Sequence, residues 1–263
     1  MTEEQRRSYA ENGYLQVPGL FAAAEFQPWA DRFLAIVNGE VPPAPDMLVM
    51  RDVMVVRGAV QPERPAEAIA KIQDFHNDEV LFGGYSRHPK LLAWVENLVA
   101  SGDIKSIHNM LINKPPGVDG RHPLHQDLLY FPFRPADQIV ATWTALEPCT
   151  RENGCLVVVP GSHEKGLRKH VNPDWEYLNA AYFGVEDVGP ETERVHLEME
   201  AGDTVFFHPA LLHGSGRNRT DGFRRAISNH YASATCRFIP GLEPRGEVRP
   251  YILVRGREQE GCI

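Results

Sequence analysis

From Ile104 onward the chain reads as a succession of short strands, and that pattern limits the folds open to it more than anything else in the sequence. Segments 104–113, 124–129, 138–146, 155–159, 194–199, 204–207 and 223–232 are rich in β-branched and aromatic residues. Turn residues separate them, among them Glu152-Asn153-Gly154, Pro160-Gly161-Ser162 and Ala201-Gly202-Asp203. Roughly seven or eight short strands at this spacing predict a mainly β fold, a jelly-roll barrel or sandwich over 104–235. The 263 residues suit one large domain, with 1–103 as a helical bracing part and 236–263 as a short tail.

In the bracing part, Thr2 and Gln5 form a capping-box pattern for a helix closed by Asn12-Gly13, and Tyr14 to Val17 reads as a strand. Phe26, Trp29, Phe33 and Val37 recur at helical spacing. Leu48 to Arg57 is expected as a strand, with helices from Pro62 and Pro65 through Ile72 and again after Pro89. Residues 166–190 have no clear period and are expected to be a lid or binding loop.

Within the strand-rich part, His125 and Asp127 stand two residues apart, so on a strand they project from one face. A carboxylate in the apolar run Leu124, Leu128, Leu129 is costly unless it meets a cation. Together they supply two ligands of the facial triad of a mononuclear Fe(II) oxygenase, which leaves coordination positions open for co-substrates. His208 and His213 compete for the third place. His213 is favoured because it precedes Gly214-Ser215-Gly216, where small residues allow a cofactor close to the backbone. His122, at an odd spacing from His125, is expected on the other face as a structural residue. Arg224 offers a planar fork for the remote carboxylate of an oxo-acid, while Arg225 should alternate to a solvated surface.

Composition narrows the partners. The net charge is −8, and no run of Lys and Arg follows a helix or groove as nucleic-acid binding requires. No apolar stretch has the length of a membrane span, and Met1-Thr2-Glu3-Glu4 lacks the order of a secretory signal. Cys149, Cys155, Cys236 and Cys262 show neither disulfide-scaffold density nor metal spacing. A cytoplasmic, reducing setting is the expectation.

Several motifs together resemble the phytanoyl-CoA dioxygenase family: Met110 to Pro116, His122-Pro-Leu-His-Gln-Asp-Leu128, Tyr130 to Pro135, Asn153 to Val158, Gly202 to Pro209, His213-Gly-Ser-Gly216 and Phe223-Arg224. The resemblance spans nearly the whole chain. It implies a double-stranded β-helix using Fe(II), 2-oxoglutarate and O2, with ascorbate as a supporting reductant. It places His125, Asp127 and His213 on the iron ligands and Arg224 on the carboxylate anchor. Trp143, Ser215, Met110 and Lys71 fall on further 2-oxoglutarate contacts. Gln126 is counted with them, although alternation turns it from the metal and leaves its amide to hold a neighbouring element.

The substrate implied is a branched-chain fatty acyl-CoA hydroxylated at carbon 2, with release of succinate and CO2. Its phosphates need a local basic patch on an acidic chain, for which Lys165, Arg168, Lys169 and His170 are the candidates. Trp175, Tyr177, Tyr182 and Phe183 would then cover the acyl chain. The rival readings are the same chemistry on a free small acid or secondary metabolite, and a non-catalytic ligand-binding barrel.

Overall fold

The computed structural model describes residues 1–244 and 251–263; 245–250, part of the expected tail, lie outside it. Two antiparallel sheets carry the fold. Its principal strands are β1 (Tyr14–Val17), β2 (Leu48–Arg51), β3 (Ile69–Gln73), β4 (Ile104–Lys114), β5 (His122–His125), β6 (Ile139–Ala145), β7 (Leu156–Val158), β8 (Val195–Leu197), β9 (Thr204–Phe207), β10 (His213–Ser215), β11 (Arg224–Ser233) and β12 (Ile252–Arg255). The larger sheet runs β1-β9-β6-β11-β4-β3-β2, with β12 also paired to β4, and the smaller runs β8-β7-β10-β5.

The centre of the larger sheet is β11, buried along all ten residues between β4 and β6. Its alternation assigns the two faces. Arg224, Ser228 and His230 look into the space between the sheets, where Trp143, Leu156, Val205 and Phe207 pack. Ile227 and Tyr231 look the other way, into the core shared with Phe33, Trp29, Phe75 and Leu91. Helices cover this outer face, among them Pro89–Leu98, which buries Leu91, Leu92 and Val95. The first, α1, runs over Glu3–Asn12 with the expected capping box and a left-handed Gly13 at its end; α2, Ala23–Val37, lays Phe26, Trp29 and Phe33 inward. Among the described residues, no helix is long and apolar enough to cross a membrane.

The bracing part departs from expectation in three places. Val53–Val56 is a short helix rather than strand, because the Asp52 carboxylate accepts the Met54 N–H and caps it. The helix expected through Ile72 shrinks to one 3-10 turn, Pro65–Ala68; Ile69–Gln73 instead pairs with β4, its Ile-rich pattern gaining more from the ladder than from a helix. The π-helix Glu79–Ser86 has no counterpart in the expectations above. The N-terminal part is therefore half sheet, contributing three strands to the larger one. Arg225 does take the face opposite Arg224, yet it is buried: it pairs with Glu147 at 2.6 Å, bonds Asn113 at 3.1 Å and lies over Phe223.

The Ala201-Gly202-Asp203 turn ties the larger sheet to the chain entering α2. Phe21 N–H donates to the Gly202 carbonyl, and Gly202 has φ 92°. A Cβ there would collide with the Phe21 carbonyl oxygen, a backbone atom that cannot step aside. Gly202→Ala is expected to lower stability by about 1–3 kcal/mol, read as a fall in melting temperature; an unchanged midpoint would contradict the turn's role.

Candidate active site

His125 closes β5, and the strand stops there. Gln126 leads into a 3-10 turn over Asp127–Tyr130, held by Leu128 N–H on the Pro209 carbonyl at 2.9 Å. Asp127 thus reaches His125 from a turn rather than from the next inward position of a strand, which corrects the expected strand over 124–129. The third residue comes from β10, a strand the sequence reading did not place, which pairs His213 directly with His125. The ligand-type atoms of His125, Asp127 and His213 lie within 4.8 Å of one another, and all three residues are buried. Among the described residues this is the grouping suited to a metal ion.

The outer contacts of these residues fit a metal. His125 Nδ1 donates to the Pro123 carbonyl at 2.9 Å and His213 Nδ1 to the Leu211 carbonyl at 3.0 Å. Both rings are thereby held with Nε2 facing inward, as histidine ligands require. Burial draws the His213 imidazole down to about 4, against the pull of Asp127, so it stays neutral and able to ligate near neutral pH. Burial would raise the Asp127 carboxyl, but His213, His230 and the hydrogen bonds from His125 and His230 hold it well below the usual carboxylate range. His208 is elsewhere, bonded to Asp137 at 3.1 Å and to the Ala210 N–H.

His230 was not anticipated. Its Nε2 lies 2.7 Å from Asp127 Oδ2, closer than either triad histidine. The signal was present: six residues after Arg224 on one strand, it must share that residue's face. His122 also departs from expectation. An irregular register between β10 and β5 turns it toward the cavity, its ring 4.1 Å from that of His125 and 4.0 Å from that of Tyr182. Gly214 has a different use from the one expected: a Cβ would lie 2.8 Å from the His122 carbonyl oxygen, so its smallness admits the neighbouring strand β5, not a cofactor.

These groups line a cavity of about 120 Å³ that includes Met110, Trp143, Ser215, Arg224, Tyr182 and Trp175. Met110, Ser228 and Trp143 sit side by side on β4, β11 and β6. Lys71, expected on a helix, stands on β3; its ammonium lies 3.7 Å from Met110 Sδ and 5.8 Å over the Tyr182 ring. Gln126 makes no wall of this cavity. Its amide donates to the Gly166 and Ala210 carbonyls and accepts from the Arg168 N–H, so it fastens the 166–190 loop rather than a cofactor.

Arg224 is the most telling residue. It is 1 % exposed, and among the described residues its Nε and Nη1 have no hydrogen-bond partner. Its cross-strand neighbour is a second buried basic group, Lys114, whose amine donates to the Gly216 carbonyl and whose pKa burial and Arg224 draw well below the usual lysine range. Nearby acids do not answer them. Burial pushes the Cys149 and Cys155 thiols up to about 12 and about 11, and Glu147 is bound to Arg225. A buried guanidinium without a counter-ion among the described residues, set beside a second buried basic group, makes an unfavourable site unless an anion enters it.

The model of the Phytanoyl-CoA dioxygenase (PhyH) family matches residues 9–226. The chain belongs to that family. It is 49% identical over 243 residues to the peroxisomal phytanoyl-CoA dioxygenase of Mus musculus, covering 91% of this chain and 70% of that protein. The probable phytanoyl-CoA dioxygenase of Caenorhabditis elegans is 47% identical, over 91% and 78%. Among solved structures, EvdO2 from Micromonospora carbonacea var. aurantiaca complexed with 2-oxoglutarate has a similar fold (TM-score 0.70, 19% identity, 93% and 95% covered). So does the epimerase SnoN in complex with Fe3+, alpha ketoglutarate and nogalamycin RO (TM-score 0.68, 23% identity, 97% and 96% covered). The mainly β, jelly-roll reading agrees with them.

If His230 positions Asp127 rather than merely filling space, His230→Leu should weaken Fe(II) binding about 10- to 100-fold in an anaerobic metal titration. His230→Gln should recover part of it. Equal Fe(II) affinity in the wild-type protein and the Leu variant would remove His230 from that role.

Proposed function

We propose that this member of the phytanoyl-CoA dioxygenase family is an Fe(II)- and 2-oxoglutarate-dependent dioxygenase that hydroxylates carbon 2 of a branched-chain fatty acyl-CoA such as phytanoyl-CoA, releasing succinate and CO2. The observation that carries the reading is Arg224: a buried guanidinium with two unpartnered nitrogens, opening on the cavity that also holds His125, Asp127 and His213. A protein without an acidic ligand gains nothing from such a charge.

His125, Asp127 and His213 would hold Fe(II), which when bound supplies chelation of a 2-oxo acid and activation of dioxygen. Arg224 takes the remote carboxylate of 2-oxoglutarate as a charge-assisted pair, with Ser215 beside it on the wall. Met110 and Trp143 form an apolar floor for the oxo-acid, and Lys71 brings positive charge beside Met110. Tyr182 and Trp175, from the 166–190 loop, close the cavity against water. The substrate class follows from the relatives' names, and the four cysteines, free thiols in this structure, accord with a reducing setting such as the cytoplasm.

Three measurements test the reading. Asp127→Ala should abolish 2-oxoglutarate-dependent succinate formation while the fold survives, and wild-type turnover in that variant would end the triad assignment. Arg224→Gln should raise the KM for 2-oxoglutarate about 10- to 100-fold, whereas unchanged constants would place the carboxylate elsewhere. Mass spectrometry with phytanoyl-CoA, 2-oxoglutarate and Fe(II) should show a gain of one oxygen coupled to succinate, with far less from free phytanic acid. Succinate without oxygenated acyl-CoA would keep the dioxygenase and discard the substrate; no succinate under any condition would leave a ligand-binding barrel.

A further inference from the structure

The patch expected to meet the CoA phosphates, Lys165, Arg168, Lys169 and His170, lies away from the cavity. Lys169 pairs with Glu186 at 2.9 Å, Arg168 donates to the Asp187 carbonyl at 3.0 Å, and His170 Nε2 accepts the Gln126 N–H at 3.1 Å. None of these side chains lines the cavity or the groove beside it.

That neighbouring groove is different in character. Its volume is about 700 Å³, and it shares His122, Trp175 and Ser215 with the cavity, so the two adjoin at that edge. Arg151, Arg194, Arg217 and Arg219 line it, gathered from three separate segments of an acidic chain. The loop after β10 is built to present two of them. Asn218 is buried and donates to the Lys114 and Gly222 carbonyls, which leaves Arg217 and Arg219 on either side exposed. Arg219 N–H then bonds the Glu152 carbonyl at 2.8 Å and joins this loop to the one carrying Arg151.

Among the described residues, the guanidiniums of Arg151 and Arg219 have no acidic partner. Arg194 meets Glu191 at 3.5 Å, where Glu191 is 88% exposed, a pair worth little in water. Arg217 leans on Asp119 at 3.0 Å. Of the remaining acids in the wall, Glu186 is held by Lys169 and Glu152 is exposed.

Resting on the acyl-CoA reading, we propose that this arginine groove binds the diphosphate and 3′-phosphate of the acyl-CoA. The chemistry sets the distance. The carbon to be hydroxylated adjoins the thioester carbonyl, so with that carbon at the triad the phosphates lie only a pantetheine arm away, past His122 and Trp175. Guanidinium forks match phosphate oxygens bidentately, and four of them on one groove concentrate positive potential where the whole chain is negative.

The test compares the wild-type protein, the double variant Arg151→Gln/Arg219→Gln and Lys169→Gln, each loaded with Fe(II) and 2-oxoglutarate. Anaerobic calorimetry with coenzyme A should show affinity falling at least about tenfold in the double variant and unchanged in Lys169→Gln. The KM for phytanoyl-CoA should rise in parallel, while that for 2-oxoglutarate and the turnover of phytanoyl-pantetheine, which has no phosphate, stay at wild-type values. A double variant that binds coenzyme A as the wild type does overturns the groove, as does loss of affinity in Lys169→Gln instead. If wild-type protein oxygenates neither thioester, the acyl-CoA reading fails and this proposal falls with it. If it oxygenates phytanoyl-CoA and the double variant is unaffected, the groove alone is wrong.

Discussion

Everything in this protein depends on β11 lying flat between β4 and β6. Its ten residues are buried on both faces, so the period-two alternation of a strand becomes a division of labour across the larger sheet. The inward positions 224, 228 and 230 carry polar groups that a closed barrel would not tolerate without partners: a guanidinium, a hydroxyl and an imidazole. The outward positions 227 and 231 carry the apolar and aromatic groups that seat the helices. Ladder bonds to β4 and β6 fix the register, and with it which arginine of the Arg224-Arg225 pair sees the cavity.

The second sheet answers the first. Pairing of β10 with β5 brings His213 opposite His125, two residues that lie far apart in the chain. Sheet pairing, not sequence proximity, completes the triad. The aspartate is then secured from the larger sheet by His230, so the candidate ligands depend on both layers at once. Such a site tolerates little relative movement of the two sheets, and within the smaller one the close approach of β10 to β5 is set by the absence of a side chain at Gly214.

Much of this was legible in the residues. His125, Asp127, His213 and Arg224 stand in patterns whose chemistry is hard to explain otherwise, and the strand-rich run after Ile104 pointed to the architecture. What failed did so for identifiable reasons. The helix expected through Ile72 gives way at Ile69 to a strand whose partner β4 lies more than thirty residues away and leaves no local mark. Asp52 turned a Val-rich strand into a capped helix turn through one side-chain hydrogen bond. Arg225 was placed in solvent because alternation tells which face a residue takes but not what covers that face; here it is Glu147, Asn113 and Phe223. Lys114 and His230 escaped notice because isolated polar residues on a buried strand reveal their purpose only beside their neighbours.

Gln126 occupies the single peptide between His125 and Asp127, yet its side chain spends all its hydrogen bonds on the backbone of Gly166, Arg168 and Ala210. The long aromatic loop and the candidate ligands consequently share one fastening. Opening the loop at its root breaks the hydrogen bonds that hold the peptide carrying the aspartate, so these two regions are expected to exchange their amide hydrogens as one cooperative unit rather than as a mobile flap over a rigid floor.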